Sequence, residues 1–273
     1  IAEGDPVQHG RDGRLKYHCM PTLRNPRYSK DANGNIDYHS ANMFQNIHAG
    51  DLLAEMELPT EGVPGKTIFG ETVMPKSGKT LKVVVKENVR VEEGKTVTYY
   101  AEADGHFMVK GASISVPDTY QINGNVDYAT GDIDFIGHVE IHGDVVDEFT
   151  VNAGKDICIF GTVEAATVAA GGKLTVRRGV AGKERARIKA GAGVEATFID
   201  EAVVEAEGDV HAEKEIINSR INTLGAVYVK TGSIIGGEIT ALGGIHTHDI
   251  GSDLGVKTYL FAGMDYTFKD NLI

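Results

Sequence analysis

The most ligand-like residues of this chain are two histidines separated by one residue, His246 and His248. Residues two apart on a β-strand point to the same face, so both imidazoles would lie on one outer surface. A protein zinc site needs at least a third protein ligand. The nearest candidate, His211, occupies the equivalent position two repeats earlier, at roughly 10 Å for two strand spacings. We therefore predict no metal site and no cofactor.

Carboxylates are dense between residues 127 and 148, and a carbohydrate-active enzyme would use such a cluster as its general acid and base. The cluster comprises Asp127, Asp132, Asp134, Glu140, Asp144, Asp147 and Glu148. The repeats in this part of the chain are short, so they leave little loop from which to build a substrate cleft. We predict a solvated acidic face without catalytic residues. A carbohydrate-active β-helix enzyme, a lyase or a hydrolase, is the alternative.

Basic residues cluster in one segment, 177–189, of a chain whose formal net charge is −12. The segment coincides with the longest repeat, so its extra residues are expected to leave the coil as a bulge. Exposed positive charge of this kind predicts a docking site for a partner protein with an acidic contact surface. A solvated loop without a partner is the alternative. The predicted partner-binding residues are Arg177, Arg178, Lys183, Arg185 and Arg187.

The elements that position these residues are visible as an internal repeat of apolar residues. Two ladders advance together in steps of 18, 17, 20, 16, 17 and 18 residues, and a third follows more loosely. A fixed period near 18, with apolar residues two apart inside each repeat, predicts a β-helix of about seven coils with three short strands each. The ladders are Ile133, Val151, Val168, Ile188, Val204, Ile221 and Ile239; Val139, Ile157, Leu174, Val194, Val210, Val227 and Ile245; and Val145, Val163, Val180, Ile199, Ile216 and Ile234.

Glycines recur once per coil and are expected to form the corners, where a positive φ would permit a sharp turn. Examples are Gly154, Gly171, Gly191, Gly208 and Gly225. The coils are expected to begin near Tyr120, with Ile122 in the second ladder. After the seventh coil, Val256 lies 17 residues beyond Ile239 and indicates a partial eighth coil, and residues 259–261 would form a last strand.

The remaining sequence predicts an all-β protein in three parts. Residues 1–118 alternate turn signals with short apolar runs, which is typical of a compact β module. Residues 119–258 form the β-helix, and 259–273 a strand and tail. The acidic balance argues against nucleic-acid binding, and no apolar run is long enough to span a membrane. The two cysteines are expected to be free thiols in a reducing compartment, and the initial Ile indicates an excised piece of a longer protein.

Several motifs, in order, resemble the flagellar assembly protein A family. They are AEGDPVQHGRDG at 2–13, AGDLLAE at 49–55, GVPGKTIFG at 62–70, INGNVDYATGDI at 122–133 and IIGGEI at 234–239. The short-coil β-helix is also similar to the C-terminal domain of the division inhibitor MinC, a protein-interaction module, and this likeness implies the right-handed form.

The family resemblance implies a bacterial cytoplasmic protein linked to flagellar assembly and motility, without an established catalytic activity. In the family a charged coiled coil usually follows the β-helix. We therefore predict a non-catalytic docking or scaffold protein that binds protein partners. Self-association is expected through the open β-helix ends or through a coiled coil missing from this chain.

Overall fold

The computed structural model describes residues 4–22, 27–30, 36–94, 96–253 and 255–269. This part of the chain is almost entirely β, as predicted, and its one helix is the four-residue α1 (Tyr266–Lys269). The chain divides into two compact units. The first comprises Ile1–Arg24 and Phe44–Asp118, and the second comprises Asn25–Met43 and Thr119–Ile273.

The strands up to residue 115 are short and are joined by turns. They are β1 (Gln8–His9), β2 (Arg14–Tyr17), β3 (Arg27–Lys30), β4 (Ile36–Asn42), β5 (Asn46–Ile47), β6 (Leu52–Glu57), β7 (Gly62–Val63), β8 (Gly65–Lys66), β9 (Thr72–Val73), β10 (Val84–Val85), β11 (Val89–Glu93), β12 (Val97–Ala101), β13 (Gly105–His106), β14 (Met108–Lys110) and β15 (Ser113–Ser115). Of these, β3 and β4 belong to the second unit, where they pair with each other in antiparallel orientation.

The core of the first unit lies against an antiparallel sheet of order β11-β12-β6-β2. Strand β6 buries Leu53 and Met56, while β12 buries Tyr99. Phe107 and Ile114 complete the same cluster with no exposed surface. The unit is therefore a small β module with its own apolar core.

The strands from residue 119 onward form one continuous parallel sheet wound into a solenoid of about eight turns. They are β16 (Thr119–Ile122), β17 (Ile133–Phe135), β18 (His138–Ile141), β19 (Thr150–Ala153), β20 (Ile157–Ile159), β21 (Thr162–Val163), β22 (Thr167–Ala170), β23 (Leu174–Val176), β24 (Gly179–Ala190), β25 (Val194–Ala206), β26 (Val210–Ile217), β27 (Arg220–Thr223), β28 (Val227–Val229), β29 (Ser233–Ile235), β30 (Gly237–Ala241), β31 (Ile245–His246), β32 (Asp249–Ile250) and β33 (Thr258–Ala262).

The three predicted ladders are the stacked core of this solenoid. Ile221, for example, pairs with Val204 one coil before it and with Ile239 one coil after it. The second ladder pairs in the same way from Val139 to Ile245. Because apolar side chains stack on apolar side chains in every coil, the core runs unbroken along the solenoid.

The two ends of the solenoid depart from the predicted register. Tyr120 pairs with Val139, so Ile122 lies opposite Ile141 and not in the second ladder. At the other end the predicted eighth coil is present, but Ile239 pairs with Leu260 and not with Val256. The last coil is longer than expected, and it contains two glycines with positive φ, Gly251 and Gly255. The last strand nevertheless covers 259–261, as predicted.

The corner glycines serve a purpose different from the one predicted. None of the five named above has a positive φ. A Cβ on Gly191 would instead overlap the carbonyl oxygen of Gly171, and one on Gly171 would overlap that of Gly154. Glycine is needed at this corner because successive coils stack backbone on backbone without room for a side chain.

A column of left-handed residues occupies another corner, and several of its members are not glycine. Glu201, Asn218 and Gly236 follow one another in successive coils with φ values of 49°, 43° and 68°. Lys183 and Glu184, with φ values of 50° and 61°, lie beside this column. The corner therefore uses a conformation that ordinary residues adopt only at a cost of roughly 1–2 kcal/mol each.

The predicted bulge is present in β24. Ala181 pairs with Asp200 and Ala186 with Ala202, so residues 182–185 stand opposite the single residue Glu201. The extra residues are thus accommodated at the left-handed corner, and the ladders continue in step on either side of it.

Candidate docking surface

The predicted basic residues are all exposed, but the fold separates them. Arg177 and Arg178 follow β23 on the face that carries the second ladder. Lys183 and Arg185 lie in the bulge, and Arg187 lies on the next face, opposite Thr167 and Val203 of the adjacent coils. The five residues therefore do not form one continuous patch.

The bulge cations are neutralised within the chain. Lys183 Nζ lies 2.8 Å from Asp147 Oδ1 and 2.8 Å from Glu164 Oε2. An Arg185 amino group lies 3.1 Å from Asp147 Oδ2. The hydrogen bond from Lys183 holds the pKa of Asp147 at about 2, and the backbone N–H of Ala165 acts in the same direction. Lys183 and Arg185 consequently have less charge to offer a partner than the sequence suggested.

Arg177 borders a groove of about 550 Å³ on the outer surface of the second-ladder face. The groove crosses five successive coils. Its lining consists of Thr175, Val176, Arg177, Glu195, Ala196, Thr197, His211, Ala212, Glu213, Tyr228, Val229, Lys230 and His246. A hydrogen bond from the Thr197 hydroxyl to the Arg177 carbonyl oxygen, at 2.7 Å, joins two of these coils along the rim.

One wall of the groove is a stack of three rings in consecutive coils. The His211 and Tyr228 rings lie 4.8 Å apart at 7°, and Tyr228 and His246 lie 4.7 Å apart at 6°. The rings stack because strand pairing places His211 beside Tyr228 and Tyr228 beside His246. Their spacing equals the distance between neighbouring strands, so the wall is formed without any rearrangement.

The charges around the groove are unevenly compensated. Glu195 is paired with Lys173 at 2.6 Å. Within the part of the chain that the structure describes, no ion pair is formed by Arg177 or Lys230. Among the described residues, the groove thus carries two cations, Arg177 and Lys230, and one carboxylate, Glu213, that form no ion pair, on a chain whose net charge is −12.

Comparison with known families gives matches to two successive stretches of the chain. Residues 118–273 match the family model described as Flagellar Assembly Protein A beta solenoid domain. Residues 1–112 match the Flagellar Assembly Protein A N-terminal region. The chain belongs to the Flagellar Assembly Protein A family. No curated protein and no solved structure gives a significant match, so the likeness to MinC stays a prediction.

In this Flagellar Assembly Protein A chain, members of the acidic cluster act as hydrogen-bond acceptors for the backbone. Asp144 Oδ1 accepts from the Thr162 N–H at 2.7 Å, one coil further on. Asp132 does the same for Thr150 at 2.8 Å and Asp147 for Ala165 at 3.1 Å. These three carboxylates join successive coils and so have a structural role.

The two histidines considered above as ligand-like residues, His246 and His248, differ in their surroundings. His246 closes the ring stack, while His248 is exposed. Across the described ranges no group of three potential metal ligands is found. Cys19 and Cys158 are free thiols, and no helix among the described residues is long and apolar enough to cross a membrane.

The sequence pattern located Arg177 but did not assign Thr197, Tyr228 or Lys230 to a docking surface. The available signal was the position within the repeat. Arg177, Thr197 and Lys230 each lie three residues after a member of the second ladder, and Tyr228 lies one residue after. Reading the outward positions coil by coil would have placed them on one face.

Proposed function

We propose that this member of the Flagellar Assembly Protein A family is a non-catalytic docking scaffold. It acts in the cytoplasm in flagellar assembly or motility regulation, and it binds an acidic surface of a partner protein. The observation that carries the proposal is the groove, which combines a preformed aromatic wall with the uncompensated cations Arg177 and Lys230.

The groove has the composition of a protein-binding site. Tyr and Arg are the residues that most often dominate the energetics of protein interfaces. The ring stack fixes Tyr228 between two histidines, so little side-chain freedom remains to be lost on binding. Arg177 and Arg178 lead from the groove toward the bulge and extend its positive edge.

The absence of catalysis is supported by the use made of the acidic cluster. A glycosidase needs two carboxylates that face a substrate. Here Asp132, Asp144 and Asp147 are bonded to the backbone of the following coil. A rigid wall of paired strands suits presentation of a surface better than enclosure of a substrate.

Self-association through the C-terminal end belongs to the same proposal. Ile250 pairs with Ile234 in the third ladder, yet 59% of it is exposed. An uncovered ladder residue beside a strand edge favours pairing with another chain. Sedimentation should therefore depend on protein concentration, and Ile250→Lys should remove that dependence.

The function is tested by swimming assays in a flagellated bacterium whose own copy of the gene is replaced. The double reversal Arg177→Glu with Lys230→Glu should abolish swimming, while Lys189→Glu, an exposed change on another face, should not. Circular dichroism should show that both variants fold. Normal swimming by the double variant at wild-type protein levels contradicts docking through the groove. Turnover of an acidic polysaccharide by the purified protein would contradict the non-catalytic assignment.

A further inference from the structure

We propose that the groove binds an extended peptide segment with two carboxylates four residues apart, and that the residue midway between them is not acidic. This inference rests on the proposed docking function and specifies its ligand. It follows from the spacing of the groove cations, their lack of partners, and the acidic residue that stands between them.

The spacing of the cations fits an extended chain. Arg177, Thr197, Glu213 and Lys230 hold the same position in four successive coils, three residues after Leu174, Val194, Val210 and Val227. Three strand spacings of about 4.8 Å separate Arg177 from Lys230 by roughly 14 Å. An extended peptide rises about 3.4 Å per residue, so a segment lying along the solenoid axis covers this distance in four residues.

The side-chain pattern of an extended peptide agrees with this spacing. Residues i, i+2 and i+4 of such a peptide point to the same side. With a carboxylate at i opposite Arg177, the carboxylate at i+4 lies opposite Lys230. The side chain at i+2 then enters the groove between Thr197 and Glu213.

The charges of the groove disfavour an acidic residue at peptide position i+2. Glu195 already has Lys173 as a partner, whereas Glu213 forms no ion pair with any residue in the described ranges. A carboxylate at i+2 would face Glu213 and be repelled, since like charges at short range disfavour binding. A small apolar side chain there would contact the ring edges of His211 and Tyr228 instead.

The same arrangement favours a peptide over a nucleic acid. A nucleic acid carries one phosphate per nucleotide and requires a continuous row of cations. The row here is interrupted by Thr197 and Glu213, and the chain as a whole is strongly acidic. The geometry therefore fits two separated negative charges and not an unbroken polyanion.

The test uses three fluorescein-labelled peptides and fluorescence anisotropy with the full 273-residue chain. The probe has the central sequence Glu-Ser-Val-Ser-Glu. One control replaces both Glu with Gln, and the other, Glu-Ser-Glu-Ser-Val, keeps both charges at the wrong spacing. The probe should bind at least tenfold more tightly than either control. Its affinity should fall as salt rises, because exposed charges are screened.

Variants tie the binding to the groove. Arg177→Ala and Lys230→Ala should each weaken probe binding at least fivefold, and Tyr228→Ala should weaken binding of all three peptides. The matched control, Lys189→Ala, removes an exposed cation from another face and should change nothing. Equal affinity for the three peptides, or insensitivity to Arg177 and Lys230, would overturn the proposal. So would a single-stranded oligonucleotide that binds more tightly than the probe with the same dependence on these residues.

The outcome can be separated from that of the docking function itself. If the peptides fail but the groove reversal still abolishes swimming, docking through this face stands with another ligand. If swimming is unaffected while the probe binds as expected, the peptide site stands and its link to flagellar assembly fails.

Discussion

The Lys183 ammonium group and the Asp147 carboxylate lie 2.8 Å apart although 36 residues separate them in sequence. The contact exists because the bulge carries Lys183 back along the solenoid, past the coil that contains Glu164. It links coils that are not neighbours.

This ion pair predicts a dependence of stability on acid pH. The pKa of Asp147 is lowered to about 2 in the folded chain, against an ordinary value of 3.8. A lowered folded pKa stabilises the fold at pH above the ordinary value, and that contribution is lost as pH falls from about 4 to 2. In urea unfolding, Lys183→Met should reduce the loss of stability over this interval. A variant that retains the full wild-type acid sensitivity would show that Asp147 does not titrate with Lys183.

The register of the first ladder predicts opposite outcomes for adjacent residues. Ile221 has no exposed surface, and its burial stabilises the fold by about 1.5–3 kcal/mol. Ile221→Asp should therefore lower the free energy of unfolding by at least about 3 kcal/mol, because an unpaired carboxylate would be buried. Asn222→Asp, one position on, should change it by less than about 0.5 kcal/mol. Similar effects from both would contradict the register.

Replacing a corner glycine by a larger residue is predicted to destabilise the fold for steric reasons. The φ values of these glycines would not predict this effect, because they are not positive. Gly191→Ala should destabilise the chain by about 1–3 kcal/mol, as overpacking does, because the new Cβ meets the Gly171 carbonyl. Gly124→Ala is the matched control, since a Cβ there meets nothing within 4 Å and its φ is not positive. The control should be neutral or stabilising by up to about 1 kcal/mol. Thermal unfolding of both variants provides the comparison, and equal loss at the two sites would exclude the steric explanation.

Some aspartates accept hydrogen bonds from backbone N–H groups of the next coil. We predict that their contribution to stability depends on the position of the acceptor oxygen and not on the negative charge. Asp144→Ala should cost about 1–2 kcal/mol, because the Thr162 N–H loses its acceptor. Asp144→Asn should cost less than about 0.5 kcal/mol, since Asn125 Oδ1 already performs this task for the Asp144 N–H at 2.9 Å. Chemical unfolding separates the two outcomes. If Asn were as damaging as Ala, the negative charge itself would be needed.

The strand register of most of the solenoid could be predicted from the sequence, because an inward apolar residue recurs at the same position in every coil. The first ladder, from Ile133 to Ile239, follows directly from this spacing, and the one 20-residue step marks the position of the bulge. The reason for glycine at Gly191 could not be read in this way, because it depends on how closely two backbones approach. The ion pair between Lys183 and Asp147 could not be predicted either. Lys183 lies in the bulge, so its position relative to the neighbouring coils does not follow from the repeat. The ring stack was partly visible, as Tyr228 lies between His211 and His246 in the repeat.

A solenoid in which each coil contacts only its neighbours melts like a one-dimensional chain, fraying from its ends. The Lys183–Asp147 pair is an exception, because it fastens a coil to the second one before it. Fraying that enters from the C-terminal end should therefore slow at β24, where opening one more coil also requires release of this pair. In amide hydrogen exchange, protection should rise abruptly at the bulge on going from the C-terminal coils toward the middle of the solenoid. In the Lys183→Met variant the rise in protection should be gradual.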